Sequence, residues 1–239
     1  MIGITLRDVT LDVPIFDVGE RSLRALAVGI LSRGKILKSS NKKLMIRTLN
    51  QVNLQVKDGD AVGLIGANGS GKSSLLRLIS GIYKPTTGTI KVEGDLRPLI
   101  NLGVGLEPNL NGIENIQRLG ALYGYKKEEI EEILEQIISF SGLAEFINLP
   151  VRTYSSGMIL RLMFSTLVIG SPDIIVLDEF FSAGDEDFAK KTEKRMQDLM
   201  ESAKIMIFAS HDKKLIKTYC NRFIRMHDGN ATEITEKEI

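Results

Sequence analysis

Three glycines, a lysine and two serines fall within the eight residues Gly66 to Ser73. They read Gly-Ala-Asn-Gly-Ser-Gly-Lys-Ser and fit G-x-x-x-x-G-K-[ST], between an expected strand (Ala61 to Ile65) and an expected helix (Ser73 to Ile79). Glycines let successive backbone N–H groups face one anion, and a helix N-terminus adds partial positive charge. We expect Lys72 to reach the β- and γ-phosphates of a nucleotide and the Ser73 hydroxyl to ligate Mg²⁺. The predicted nucleotide-binding set is Gly66, Ala67, Asn68, Gly69, Ser70, Gly71, Lys72, Ser73 and Ser74.

Two adjacent carboxylates end an apolar run further along the chain. Asp178 and Glu179 follow the expected buried strand Ile174 to Leu177, roughly 105 residues after the glycine-rich loop. Ligands of open α/β sheets gather at the carboxyl ends of strands. Asp178 is therefore predicted to hold Mg²⁺ through its water shell, and Glu179 to deprotonate the attacking water. Without the upstream loop, a solvated strand end would explain the pair better.

One histidine occupies a similar position. His211 follows the expected strand Ile205 to Ala209 in the sequence Ala-Ser-His-Asp, where it can contact a γ-phosphate. Taken singly it reads as a surface histidine, but the order of loop, Asp-Glu pair and Ser-His-Asp favours the catalytic interpretation. His227 is interpreted as a turn residue.

The composition bounds the remaining possibilities. A chain of 239 residues that is 43% apolar can bury a sizeable core, and 31 basic against 30 acidic residues give no overall field toward nucleic acid. The single cysteine, Cys220, fits a reducing compartment and a packing role. The N-terminus lacks the pattern of a signal peptide, and no apolar run approaches the roughly 18 residues of a membrane span. We expect a cytosolic protein.

Strand-like and helix-like segments alternate, which predicts an α/β fold with a mostly parallel sheet flanked by helices. Ile2 to Val13 is predicted to be an edge hairpin strand, and Asn115 to Phe146 is predicted to be a helical insert. The other expected elements are strands at Val52 to Val56 and Thr89 to Val92, and helices at Thr153 to Gly170 and Phe188 to Met200.

Positive charge concentrates in one stretch. Glu20 to Arg47 holds eight Lys or Arg and one acidic residue, net +7, so the remainder carries about −6 (+1 minus +7). Within it, Ser22 to Ser32 is predicted to form an amphipathic helix. A solvated surface helix without a role is one interpretation of this stretch.

These motifs, in this order, resemble the ATP-binding subunits of ABC transporters from about Leu44 to Asp228. Tyr154-Ser-Ser-Gly-Met158 stands where that family keeps its Leu-Ser-Gly-Gly-Gln signature. The resemblance implies that Ser155 and the Gly157 backbone contact the γ-phosphate bound to a second copy, so that a homodimer encloses two ATP molecules. It also implies that Ser182 to Asp185 communicates across that dimer.

Four departures from the common family pattern narrow the resemblance. One is the basic stretch Glu20 to Arg47, because polysaccharide exporters carry an insertion in this position, where it would pack beside the membrane partner or attract a phosphate-bearing lipid-linked substrate. The Tyr-Ser-Ser-Gly-Met variant is similar to that of exporters of bacterial surface polysaccharides. The segment Leu99 to Pro108 resembles the loop of O-antigen and teichoic acid exporters, with Asn101 beside the place of the usual glutamine. No aromatic residue stands at positions 42–45 to stack on adenine, so we expect modest adenine affinity.

The resemblance therefore implies an ABC-type P-loop ATPase that exports lipid-linked polysaccharide, most simply O-antigen. It also implies ATP and Mg²⁺ as cofactors and two copies of an integral membrane permease as partners. The location it implies is the cytoplasmic face of the bacterial inner membrane, and it implies no nucleic-acid partner. Alternatives are teichoic acid, capsule or small-lipid export, a regulatory module without turnover, and a soluble ABC ATPase outside transport. One ABC domain is expected: residues 1–100 as β region and P-loop core with a basic helical insertion at 20–43, a helical subdomain at 108–165 and the rest of the core at 166–239. No C-terminal carbohydrate-binding domain is expected.

Overall fold

The computed structural model describes residues 2–14, 36–38, 44–100, 105–178 and 186–239. The predicted amphipathic helix at Ser22 to Ser32, Asn101, Glu179 and the loop Ser182 to Asp185 lie outside the described residues. The chain divides into two compact units, one of Met1–Gly94, Val176–Glu179 and Lys204–Ile239, the other of Asp95–Ile175 and Phe180–Ala203.

The described strands are β1 (Gly3–Pro14), β2 (Ile36–Lys38), β3 (Leu44–Lys57), β4 (Ala61–Ile65), β5 (Thr87–Glu93), β6 (Leu96–Leu99), β7 (Ile174–Asp178), β8 (Ile205–Ala209), β9 (Arg222–His227) and β10 (Asn230–Ile234). The described α-helices are α1 (Lys72–Ile79), α2 (Gly112–Leu122), α3 (Lys127–Ser141), α4 (Ser156–Val168), α5 (Glu186–Ser202) and α6 (Lys213–Tyr219).

An antiparallel sheet in the first unit has the strand order β2-β3-β1-β5. The predicted N-terminal antiparallel region is thereby confirmed, but the prediction that its first strand is an edge strand is wrong. β1 pairs with β3 on one side and with β5 on the other. The second partner comes from far along the chain, so the local alternation of residues could not reveal it.

The second sheet of this unit carries the predicted phosphate-binding loop. Within this unit its strands run in the order β10-β9-β4-β8-β7, and β4 is parallel to both β8 and β9. Val62 and Leu64 on β4 and Ile207 on β8 are all 0% exposed, as expected for parallel strands covered on both faces. Because the three strands are parallel, the residues that follow β4, β8 and β9 meet at one edge of the sheet.

The second unit contains the predicted helical insert, confirmed as α2 and α3, together with α4 and α5. α4 begins at Ser156, after a 3-10 turn at Val151–Thr153, so the helix predicted from Thr153 starts three residues late. Among the described residues, no helix combines the length and apolar character needed to cross a bilayer. The core of the unit is built from Ile116, Ile130, Ile137, Leu143, Ile147, Val151, Tyr154, Leu162 and Ile169.

Candidate nucleotide site

The loop after β4 takes a course that only glycine permits. Gly66 has a φ of 154° and Gly71 a φ of 107°. A Cβ on Gly66 would lie 2.4 Å from the Met226 carbonyl oxygen, and one on Gly71 would lie 2.6 Å from that of Thr48. The backbones of β9 and β3 thus approach the loop from two sides. A side chain at either glycine would displace the loop from its position.

Lys72, the first residue of α1, already faces the loop interior. Its side chain is buried, and its Nζ donates to the carbonyl oxygens of Gly66 at 2.7 Å and Ala67 at 3.2 Å. Gly71 offers no side-chain cap to α1, and the first turn of the helix holds no acidic residue. The ammonium and the first-turn N–H groups therefore form a positive site that fits a phosphate.

A further polar group in the loop supports this interpretation. Ser70 is 6% exposed, and within the described part of the chain its Oγ has no hydrogen-bond partner. A buried hydroxyl without a partner costs stability unless a ligand satisfies it. Ala67, Asn68 and Gly69, by contrast, are exposed and leave the loop open to solvent.

His211 lies beside this loop, as the parallel pairing of β4 and β8 requires. It lines a cleft of about 350 Å³ together with Gly66, Ala67 and Ser210. The turn that carries it is held on both sides, because the Asp212 N–H donates to Ser210 Oγ at 3.0 Å and Asp212 caps the first N–H groups of α6. The imidazole itself is exposed, where it can meet a ligand.

The predicted metal ligands have donors of the right kind. Asp178 is the last residue of β7, next to β8, and is half-buried, as are Ser73 and Ser74 in the first turn of α1. Hydroxyl and carboxylate oxygens are the hard donors that Mg²⁺ prefers, so the residues fit the ion. Glu179, outside the described residues, follows Asp178 directly in the sequence.

Ser155 and Gly157 belong to the second unit and stand at the start of α4. Ser155 is the N-cap of this helix, and its Oγ accepts the Met158 N–H at 3.2 Å. This capping role went unnoticed in the sequence, although a serine directly before a helix is its usual signal. Behind it, Tyr154 is buried and donates from its hydroxyl to the Phe146 carbonyl at 2.7 Å. The exposed start of α4 is thus fixed in place.

A hairpin that was not predicted from the sequence is hydrogen-bonded to the glycine-rich loop. Asp228 and Gly229 have φ values of 47° and 77°, typical of a tight hairpin turn, and join β9 to β10. The Gly229 N–H donates to the Ser70 carbonyl at 3.1 Å. His227 is the last residue of β9, so its interpretation as a turn residue is wrong. The dipeptide Asp228-Gly229 is a usual signal of a hairpin turn and could have predicted it.

Cys220 packs behind the loop strand. It is 8% exposed, and a Cβ on Gly63 of β4 would come within 3.2 Å of its Sγ. Burial raises the pKa of the thiol to about 12, so the sulfur stays protonated and inert near neutral pH. The predicted packing role is confirmed.

A strand, a glycine-rich loop and a helix at the carboxyl edge of a parallel sheet define a P-loop nucleotide-binding protein. Comparison with known proteins agrees. The family model described as ABC transporter matches residues 49–182. An O-antigen export system ATP-binding protein of Yersinia enterocolitica is 41% identical over 96% of both chains. The chain therefore belongs to the ABC transporter family and is an ABC-type ATPase, with the predicted α/β fold.

Other relatives are longer than the matched region. A second O-antigen export system ATP-binding protein, from Myxococcus xanthus, is 41% identical over 79% of this chain, which spans 43% of that relative. A teichoic acids export ATP-binding protein of Levilactobacillus brevis is 40% identical over 84% of this chain, which spans 55% of it.

Solved structures agree on the fold. One described as the ATP-binding subunit of an ABC transporter has a TM-score of 0.68 at 20% identity and covers 100% of this chain and 91% of its own. A dimeric bacterial ABC transporter cassette has a TM-score of 0.65 at 22% identity, covering 98% of both chains.

Proposed function

We propose that this chain is the ATP-hydrolysing subunit of an exporter of lipid-linked surface polysaccharide, with O-antigen as its cargo. The observation that carries the proposal is the 41% identity to the Yersinia enterocolitica protein over 96% of both chains. Teichoic acid is the second candidate, because the Levilactobacillus brevis relative is 40% identical. It ranks second since this chain spans 55% of that relative's length.

In this proposal the first unit binds the nucleotide. Lys72, the loop N–H groups and the start of α1 hold the β- and γ-phosphates, while Ser73 and Asp178 hold Mg²⁺. When bound there, Mg²⁺ would neutralise charge that develops on the phosphates. Glu179 takes the proton of the attacking water, and His211 contacts the γ-phosphate from the neighbouring strand end.

The second unit acts on the ATP of another copy. Ser155 and the Gly157 backbone, at the positive end of α4, approach the γ-phosphate held by the loop of the opposite subunit. Two copies thus enclose two ATP molecules, and closure moves two copies of a membrane permease at the cytoplasmic face of the bacterial inner membrane. We propose no nucleic-acid partner.

Gly157 offers a test of this arrangement, because its own chain leaves room for a side chain. Its φ is not in the left-handed region, and a Cβ there would meet only Ser155 Oγ, at 3.9 Å. Gly157→Leu should therefore fold as well as the parent, since leucine favours a helix more than glycine does. We expect ATP binding within about twofold of the parent, and hydrolysis at least about tenfold slower because the side chain blocks the second copy.

The measurements for Gly157→Leu are melting temperature, binding of a fluorescent ATP analogue and steady-state hydrolysis. Gly59→Leu would not serve as a control, because the φ of Gly59 is 89° and a leucine there would strain the backbone. The control is Leu122→Ala, which changes an apolar residue on α2 that is 60% exposed. Normal hydrolysis by Gly157→Leu would show that Gly157 is not part of the active site.

The cargo is tested in a host strain that lacks this chain, with and without a plasmid copy. We expect long polymer to disappear from the surface glycolipid, as seen by gel electrophoresis, while lipid-linked polymer accumulates inside. The parent gene should restore the ladder and Lys72→Ala should not, because export depends on ATP hydrolysis. A normal surface ladder in the deletion strain would reject polysaccharide as the cargo, while leaving the ATPase assignment intact.

A further inference from the structure

Three consecutive carbonyls at the end of α4 are held by side chains from other elements of the second unit. Arg195 on α5 donates from Nε to the Val168 carbonyl at 2.8 Å and from Nη2 to the Gly170 carbonyl at 2.7 Å. The Tyr125 hydroxyl donates to the carbonyl between them, that of Ile169, at 2.5 Å. The last carbonyls of a helix have no partners within the helix, so these donors fix its end in place.

The tyrosine is itself held rigidly. The guanidinium of Arg97 on β6 lies 3.7 Å from the centre of the Tyr125 ring. Arg97 is 7% exposed, donates to the Tyr123 carbonyl at 2.7 Å and pairs with Asp95 at 3.1 Å. Burial raises the pKa of Tyr125, so its hydroxyl keeps the proton that it donates.

Gly170 and the charges of the two arginines complete the arrangement. Gly170 has a φ of 119°, and a Cβ there would lie 2.6 Å from the Tyr125 hydroxyl oxygen, so glycine permits the close approach. A guanidinium at the end of α4 is also favourable because this end of the helix macrodipole is negative. We call Tyr125 and Arg195 the helix clamp.

The clamp connects α5 with the end of α4, and Arg97, which stacks on the Tyr125 ring, adds β6 to this group of elements. The other end of α4 carries Ser155 and Gly157. α5, which contains Arg195, follows Glu179 and the segment Ser182 to Asp185 in the sequence, and β6 ends shortly before Asn101. No residue of the clamp was singled out from the sequence.

We infer that Tyr125 and Arg195 are positioning residues for ATP hydrolysis, which aim the start of α4 at the ATP of a second copy. The inference rests on the proposed function, because it requires ATP between two copies. The 13 residues of α4 form a rod about 20 Å long, so a tilt of about 3° at the clamped end moves the other end by about 1 Å. A misplacement of that size can slow a reaction by up to about a hundredfold.

The test compares Tyr125→Phe, Arg195→Gln and the double variant with the parent. We expect each single variant to lower kcat about tenfold at saturating ATP. Binding of a fluorescent ATP analogue should stay within about twofold of the parent, because the phosphate-binding loop belongs to the first unit. The double variant should be less impaired than the product of the single effects, since both side chains act on one helix end.

Two further variants separate positioning from general stability. Lys194→Gln removes an exposed cation next to Arg195 on α5 and should leave kcat unchanged. Arg195→Lys keeps the charge and can reach one carbonyl, so it should recover part of the rate. A purely structural role would instead reduce binding capacity and kcat in proportion, with the rate per bound ATP unchanged. That result would overturn the inference.

Gly157→Leu, measured alongside, separates failure of the inference from failure of the proposed function. If Gly157→Leu hydrolyses ATP slowly and the clamp variants match the parent, the clamp inference is wrong and the two-copy site stands. If Gly157→Leu hydrolyses ATP at the parent rate, the two-copy site is wrong and the clamp inference falls with it. Slow hydrolysis by both, with ATP binding intact, supports both.

Discussion

Lys72→Met is expected to weaken ATP binding by at least about a hundredfold while leaving the fold intact. The aliphatic stem of Lys72 is buried, and methionine keeps most of that volume. Methionine lacks the ammonium that donates to the carbonyls of Gly66 and Ala67. This ammonium lies where we expect the β- and γ-phosphates. Charge-assisted hydrogen bonds to phosphate are among the strongest single contacts available, so losing them removes most of the affinity.

The measurement for Lys72→Met is titration with a fluorescent ATP analogue, together with a melting curve. Lys84→Met is the matched control, because Lys84 is exposed and lies shortly after the same helix. Lys72→Ala should lose binding to a similar extent, but with a lower melting temperature, since it leaves a cavity. ATP binding by Lys72→Met at parent affinity would show that the ammonium holds the loop and does not bind phosphate.

The parts of the fold that were predictable from sequence are those that contiguous residues determine. β4 and β8 were predicted with their observed bounds, because both are short apolar runs buried on both faces. The geometry of the glycine-rich loop followed from its own residues, since phosphate binding requires them in an unbroken row. Gly66 and Gly71 show the same constraint in the structure.

What could not be predicted depends on partners distant in sequence. β1 was wrongly placed at a sheet edge because β5, its second neighbour, follows only after β4 and α1. Likewise, the bonds of Tyr125 and Arg195 to the end of α4 join residues 44, 27 and 25 positions apart. Neither residue belongs to a motif, and no periodic pattern marks a side chain whose partner is a main-chain carbonyl.

Glu179→Gln is expected to slow hydrolysis by about 10²- to 10⁴-fold, the usual contribution of a general base, and to leave ATP binding unchanged. Glutamine has nearly the same shape and can still hold the attacking water, but it cannot accept its proton. ATP then remains uncleaved between the two copies, so dimers should accumulate when ATP and Mg²⁺ are present. Light scattering after size-exclusion chromatography measures their amount.

Two comparisons decide the role of Glu179. Glu193→Gln, an exposed position on α5, should behave as the parent in both assays. Full hydrolysis by Glu179→Gln would refute the assigned base, whereas loss of ATP binding would assign Glu179 to nucleotide binding instead. Adding Gly157→Leu to Glu179→Gln should abolish the dimer without affecting ATP binding, because the trapped state requires the start of α4 from the second copy as well as uncleaved ATP.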